Sequence, residues 1–383
     1  MSIFLLIFGL VAFVGLVLIH EWGHFIAARR ANVDVEEFGL GFPPKAKTIT
    51  KKNGTEYTLN WLPLGGFVRL KGEHDYDKQK GSFGAAKLSD KVRIMVAGVG
   101  MNLITAFILF TVVALIGMPQ LVDNQFTISS DSKVIQEVQN KDVVLVGEVV
   151  AGGPAEKAGI KVGEEIISIN GQSVDEPSTL PSISEANAGK PVIVVVKDQQ
   201  GNSRTKEITL AATSPYFGVA PYSGRIGMEV RRSTWSAPIV ALGLIRDFTV
   251  LTFKALGSAV HGLGSIVAGV FTGNDEARRN GQTAASAQVS GPVGIFYVLK
   301  EGSNLGIGFT LMIIAVISLT LAIMNILPIP ALDGGRLFVT LLYRAMKKPL
   351  TPETEDRIHG TGMAVLLGLF VAITIVDINR FIR

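Results

Sequence analysis

The sequence predicts a polytopic α-helical membrane protein with about four transmembrane helices and one soluble, strand-bearing insertion. Three observations carry this. Only 18% of the 383 residues are charged, against roughly 25% in soluble globular proteins. Residues 1–19, 94–122 and 302–332 carry no charged side chain, and a spanning helix needs about 20 apolar residues. Between 140 and 211 the texture changes to β-branched runs such as VVLVGEVV and PVIVVVK, which read as strands.

The first run lacks a basic leading segment and an A-x-A-like cleavage site, so it reads as a retained helix rather than a signal peptide. A fourth run, 360–376, is shorter and spans if its ends snorkel. Arg29, Arg30, Lys45, Lys47, Lys51 and Lys52 follow the first run, and Lys87, Lys91 and Arg93 precede the second or sit at its start. Basic residues near helix ends favour the cytoplasm, which puts residues 28–92 inside and the N-terminus outside. Arg336, Arg344, Lys347 and Lys348 put the loop after the third run inside as well. Residues 120–300 are then outside, and 236–272, with Arg246, Asp247 and Lys254, reads as surface or interfacial helix.

Within the insertion, PAEKAG at 154–159 reads as a short helix, and Asn170-Gly171 as a hairpin turn. In the first inside loop, 56–71 is apolar for a water-exposed segment and reads as a membrane-associated β-hairpin around Pro63–Gly66. The expected division is therefore 1–118, a membrane part with two helices and the hairpin; 125–212, an α+β domain; 213–300, an amphipathic segment; and 301–383, a second membrane part. The net charge of +4 is scattered, and no basic stripe with interleaved aromatics occurs. That argues against nucleic acid as a partner. There are no cysteines, so any metal must be held by nitrogen and oxygen.

His20-Glu21-Trp22-Gly23-His24 closes the first apolar run. Residues i and i+4 share one helix face, so two imidazoles can converge on one Zn²⁺, with Glu21 placed to take a proton from a bound water. Ionisable groups at the end of a lipid-facing run are expensive unless partnered, and a metal is such a partner. A catalytic zinc needs a third protein ligand. Asp333 is the candidate, because Pro328 and Pro330 break the third helix just before it. Asn325 suits either an oxyanion donor or an interhelical contact. Gly98 and Gly100 allow close helix packing, and Asn102 is a further interhelical polar group. His74, His261 and His359 stand apart from any comparable cluster. A metal transporter would need more ionisable residues along the spans, and outside the two motifs the spans offer almost none.

At HEWGH and at NILPIPALDGG the chain resembles the site-2 protease family of zinc-dependent intramembrane proteases. FGLGFPP (38–44), PLGGFVRLKGE (63–73) and SGPVGI (290–295) are also similar to its bacterial branch. The resemblance implies zinc held by His20, His24 and Asp333, with Glu21 as base and Asn325 in the catalytic set. It also implies an extracytoplasmic PDZ domain in the insertion, which would gate access. The hairpin edge, at Gly65, Gly66, Phe67 and Val68, would pair with an unwound substrate strand. The substrates implied are single-span membrane proteins, such as anti-sigma factors or signal-peptide remnants, cleaved within the bilayer of a bacterial cytoplasmic membrane. Val99 departs from the family, which often has proline there. For the PDZ carboxylate loop, Phe217-Gly218-Val219 and Ile226-Gly227-Met228 are both candidates.

Overall fold

The computed structural model describes residues 2–122, 124–150, 152–198, 202–272, 274 and 291–381. Two compact units are formed, one by residues 1–133 with 231–383 and one by 134–230.

Among the described residues of the first unit, four helices are long and apolar enough to cross a membrane, over Ile3–Arg30, Leu88–Ile116, Ile307–Ile326 and Pro352–Ile378. They belong to α1 (Ser2–Arg30), α2 (Leu88–Ile116), α7 (Ile307–Ile326) and α9 (Pro352–Phe381). Each boundary has a local cause. Asp90 lies in the first turn of α2, where a carboxylate meets the positive end of the helix dipole. The same helix stops at Gly117, whose φ of 144° ends the helical path. Helix α7 stops at Leu327, extended at φ −64°, ψ 147°, because proline disfavours the helical region for its predecessor. Helix α9 opens on Pro352 with Glu353 and Glu355 in its first turn.

The stretch expected to be surface or interfacial helix forms one 36-residue helix, α5 (Ala237–Thr272), and it is not among the four apolar spans. Its first half packs Val240, Ala241, Leu244 and Phe248 against Phe110 of α2 and Met312 and Leu319 of α7. Phe248 stacks on Phe110 with 5.8 Å between ring centres. Asp131 accepts hydrogen bonds from the N–H and hydroxyl of Thr234 and of Ser236, at 2.5–3.0 Å. The Ser236 and Thr234 hydroxyls hold the Asp131 carboxyl well below its ordinary range. This carboxylate caps α5 and ties together the two chain segments that flank the insertion.

The hairpin differs from expectation. Its strands are β1 (Val35–Lys52) and β2 (Thr55–Leu70), so it begins at residue 35 rather than 56, and its turn is Asn53-Gly54, not 63–66. Both turn residues have positive φ, 51° and 81°, which suits a two-residue hairpin loop. Residues 37–40 pair with 66–69 on one side and with 56–59 on the other. The centre is polar: Glu37 is buried, accepts from the Thr58 hydroxyl at 2.6 Å and pairs with Arg69 at 2.7 Å.

Met118–Pro119 forms a two-residue strand, β3. The second unit carries β4 (Lys133–Val149), β5 (Glu165–Ile169), β6 (Gln172–Ser173), β7 (Pro191–Lys197), β8 (Ser203–Thr209) and β9 (Val219–Arg232), with short helices α3 (Pro154–Lys157) and α4 (Thr179–Ala186). The sheet runs β9-β4-β5-β7-β8, with β6 on β5. Asn170-Gly171 makes the anticipated turn, at φ 49° and 77°. Val192, Val194 and Val196 alternate inward from β7 onto Val144, Ile166, Ile169, Leu180 and Phe217. Because β9 joins the sheet, the unit continues past residue 212 to 230. Ile169→Ala empties part of this core and is expected to destabilise the unit by about 2–5 kcal/mol. Faster hydrogen exchange across 134–230 in the full chain, with the membrane helices unchanged, would register it.

Two further helices are described in the first unit, α6 (Pro292–Asn304) and α8 (Asp333–Ala345). The SGPVGI motif opens α6, although Ser290 lies outside the described residues. Asp377 of α9 accepts from the Gly291 and Gly294 N–H groups at 2.8 Å each and so caps that helix.

Candidate active site

Two helices cross where the HEWGH motif lies. A Cβ built on Gly23 would sit 2.6 Å from the Ala97 carbonyl of α2, and one built on Gly98 would sit 2.7 Å from His20 Nε2. Glycine at both positions therefore lets the backbone of α2 lie directly against the imidazoles. His24 Nδ1–H donates to the Ile94 carbonyl at 2.7 Å. That bond fixes the tautomer and leaves the His24 Nε2 lone pair free.

The third element arrives by a tight turn. After Pro328 and Pro330 the chain passes Ala331 at φ 79°, a left-handed conformation unusual for a residue with a Cβ. Helix α8 then starts at Asp333. Gly334 and Gly335 lie against the carbonyls of the preceding turn, leaving no room for side chains. The result is convergence. Asp333 Oδ2 lies 3.0 Å from His20 Nε2 and 3.2 Å from His24 Nε2. The two Nε2 atoms are 3.2 Å apart. Among the described residues, His20, His24 and Asp333 form the group of three whose ligand atoms could hold one metal ion.

The donor set fits zinc, which favours imidazole and carboxylate ligands in tetrahedral geometry. His20 Nδ1 lies 3.2 Å from the Asn102 amide. Amide oxygen and nitrogen exchange by a 180° rotation. The orientation that accepts from Nδ1–H frees the His20 Nε2 lone pair. It also partners Asn102 Oδ1, which is otherwise buried without a hydrogen bond. Asn102 was anticipated only as an interhelical contact. That role is present too, since the Ser318 hydroxyl of α7 donates to its carbonyl at 2.8 Å.

Glu21 lies outside the triad and faces the hairpin. The Val68 backbone lies against its carboxylate, and a Cβ on Gly66 would be 3.2 Å from Glu21 Cγ. Of the expected hairpin residues, Gly66 and Val68 thus stand beside Glu21, whereas Gly65 faces Phe42. Asn325 donates to Leu321 of its own helix at 2.9 Å.

Residues that sequence reasoning left out surround Asp333. A cavity of about 540 Å³ is lined by Glu73, His74, Asp333, Arg336, Glu355 and His359, among others. Arg336 donates to the Glu73 carbonyl and sits 4.9 Å over the Phe83 ring. Lys91, fully buried, pairs with Asp75 at 2.5 Å. Burial pushes the Asp75 carboxyl up, but Lys91 and Arg344 outweigh it and hold the group below its ordinary value. These cations had registered only as topology signals, because sequence spacing does not reveal which carboxylate a loop will bring to them.

An H-E-x-x-H pair on one apolar helix, met by an aspartate from the end of another, defines a membrane-embedded metallopeptidase. The chain belongs to peptidase family M50, the site-2 proteases, whose family model matches residues 8–369. It is 26% identical over 452 residues to zinc metalloprotease RasP of Geobacillus kaustophilus, covering 97% of each chain. A Clostridium acetobutylicum protein, also named as a zinc metalloprotease, is 30% identical over 381 residues, 99% of this chain and 98% of its own. The Enterococcus faecalis protein named as protease eep is 27% identical over 465 residues, 99% of this chain and 98% of its own. The protein is a zinc-dependent protease of this family with four helices capable of spanning a membrane.

Proposed function

We propose that this protease cuts transmembrane segments of single-span membrane proteins, with zinc on His20, His24 and Asp333 and with Glu21 as general base. The carrying observation is the meeting of both Nε2 atoms and Asp333 Oδ2 within 3.2 Å, with Glu21 of the same motif outside that group. Zinc at this place supplies Lewis-acid polarisation and lowers the pKa of a water ligand to about 7. Glu21 takes the proton from the attacking water and passes it to the leaving amine. The Ile94 carbonyl and the Asn102 amide hold the two imidazoles in the tautomer that presents Nε2.

The hairpin edge at Gly65–Val68 offers backbone groups to an extended substrate strand, a general mode of peptide capture. It runs beside Glu21, so a strand added there would bring its peptide bond to the base. Phe42, Trp61 and Leu62 expose large apolar faces on the hairpin, as suits a segment held in lipid. An apolar cavity of about 500 Å³, lined by Val14, Val17, Phe42, Gly65, Ile295 and Phe370, among others, reaches that edge. A transmembrane segment has the chemistry to fill it. The sheet unit at 134–230 is read as an extracytoplasmic PDZ domain that restricts entry, in a bacterial cytoplasmic membrane, because basic residues favour the cytoplasm for 28–92 and for the loop after the third apolar run, across the spans from it.

Metal content and cleavage of a single-span substrate, measured together, test the site. Purified wild type is expected to hold roughly one zinc per chain. His20→Ala and Asp333→Ala are each expected to lose both the metal and the cleavage. Full zinc and full activity in Asp333→Ala would overturn the reading.

A further inference from the structure

We infer that His359 of α9 is a positioning residue for the metal site, holding the turn that delivers Asp333; this rests on reading Asp333 as the third zinc ligand. His359 Nδ1 accepts a hydrogen bond from the Ala331 N–H at 3.2 Å. Ala331 is the left-handed residue of the Pro-Ile-Pro-Ala-Leu-Asp turn. A non-glycine residue stays in that conformation only where its surroundings enforce it. The His359 bond, two residues before Asp333, is one such enforcement. It also sets the His359 tautomer: Nδ1 accepts, so the proton is on Nε2, which is buried without a partner.

Two neighbouring contacts show that α9 grips this segment along its length. A Cβ built on Gly362 would fall 2.6 Å from the Pro330 carbonyl, so the helix backbone presses directly on the turn. One helical turn before His359, Glu355 is buried and lies 3.6 Å from Arg336 of α8, three residues beyond Asp333. Helix α9 therefore touches the chain on both sides of the ligand. His359 is the member that bonds the backbone atom fixing the turn's unusual dihedral. Without it, Ala331 relaxes toward ordinary backbone angles, and the Asp333 carboxylate moves off the imidazole pair. Partners of this kind, one bond removed from a metal, change its affinity by about 10–100-fold.

The test is zinc affinity of the purified full-length protein in detergent, by competition with a chromogenic chelator, alongside thermal unfolding of the metal-free form. The amide oxygen of Asn reaches the place of imidazole Nδ1, while that of Gln reaches the place of Nε2. His359→Asn is expected to bind zinc within about threefold of wild type, whereas His359→Gln and His359→Ala weaken binding about 10–100-fold. Metal-free unfolding temperatures are expected to stay together. Unchanged affinity in His359→Ala and His359→Gln, with Asp333→Ala weakened, overturns the positioning role and leaves the ligand reading intact. Equal weakening in all three His359 variants, with lower unfolding temperatures, also overturns it, because packing alone would explain that. Unchanged affinity in Asp333→Ala overturns both.

Discussion

Glu21→Gln is expected to abolish measurable cleavage while leaving zinc in place. The substitution preserves shape and removes only the ability to accept a proton. The three groups that converge within 3.2 Å are His20, His24 and Asp333, so Glu21 is not needed to hold the metal. Its loss removes general-base assistance to water and general-acid assistance to the leaving amine. Each such contribution is worth about 10²–10⁴-fold in rate, and amide hydrolysis needs both. The check is a single-turnover cleavage assay paired with metal analysis of the same preparation. A Gln variant that cleaves a model single-span substrate at the wild-type rate would remove Glu21 from the mechanism. It would also favour a scaffold protein whose zinc is only structural.

Gly98→Ala is expected to eliminate zinc binding even though it adds a single methyl group to a helix. Alanine is a better helix former than glycine by about 0.5–1 kcal/mol, so α2 itself is not weakened. The methyl would be built 2.7 Å from His20 Nε2 and close to His24 Nε2. Those are the atoms whose lone pairs must face the ion. An unliganded imidazole can swing aside to relieve such a contact; one committed to a metal at roughly 2.0–2.1 Å cannot. The methyl and the metal therefore exclude each other. The control is Gly100→Ala on the same helix, where an added Cβ meets nothing within 4 Å. Gly100→Ala is expected to keep wild-type zinc content and activity, and Gly98→Ala to lose both without a lower unfolding temperature in the metal-free form. Equal zinc content in the two would show that α2 does not lie against the metal position.

Much of the site was legible because its parts are local. HEWGH needs nothing beyond helical periodicity to bring two imidazoles to one face, and the two prolines announce where the third span must break. The hairpin was less legible. Asn53-Gly54 carries the same turn signal as Asn170-Gly171, yet it lies among charged residues while the apolar stretch that suggests a membrane hairpin centres on Pro63–Gly66. The strand before it, Val35–Lys52, alternates only over its first residues. Its pairing on two sides is set by register with distant residues, which periodicity does not encode. Asn325 is a different case: its place in a motif suggested chemistry, and in the structure its amide donates to the Leu321 carbonyl one turn earlier.

By itself the sequence determined the membrane spans, the sheet-bearing insertion and the two imidazoles with their glutamate, since hydropathy and helical spacing are properties of contiguous residues. Only the tertiary structure decided that Asp333 reaches those imidazoles, that Gly98 forms the wall beside them, that Asn102 meets His20 and that His359 meets Ala331. These contacts join residues tens to hundreds of positions apart. Each depends on how closely two backbones approach, which side-chain size permits but only packing settles.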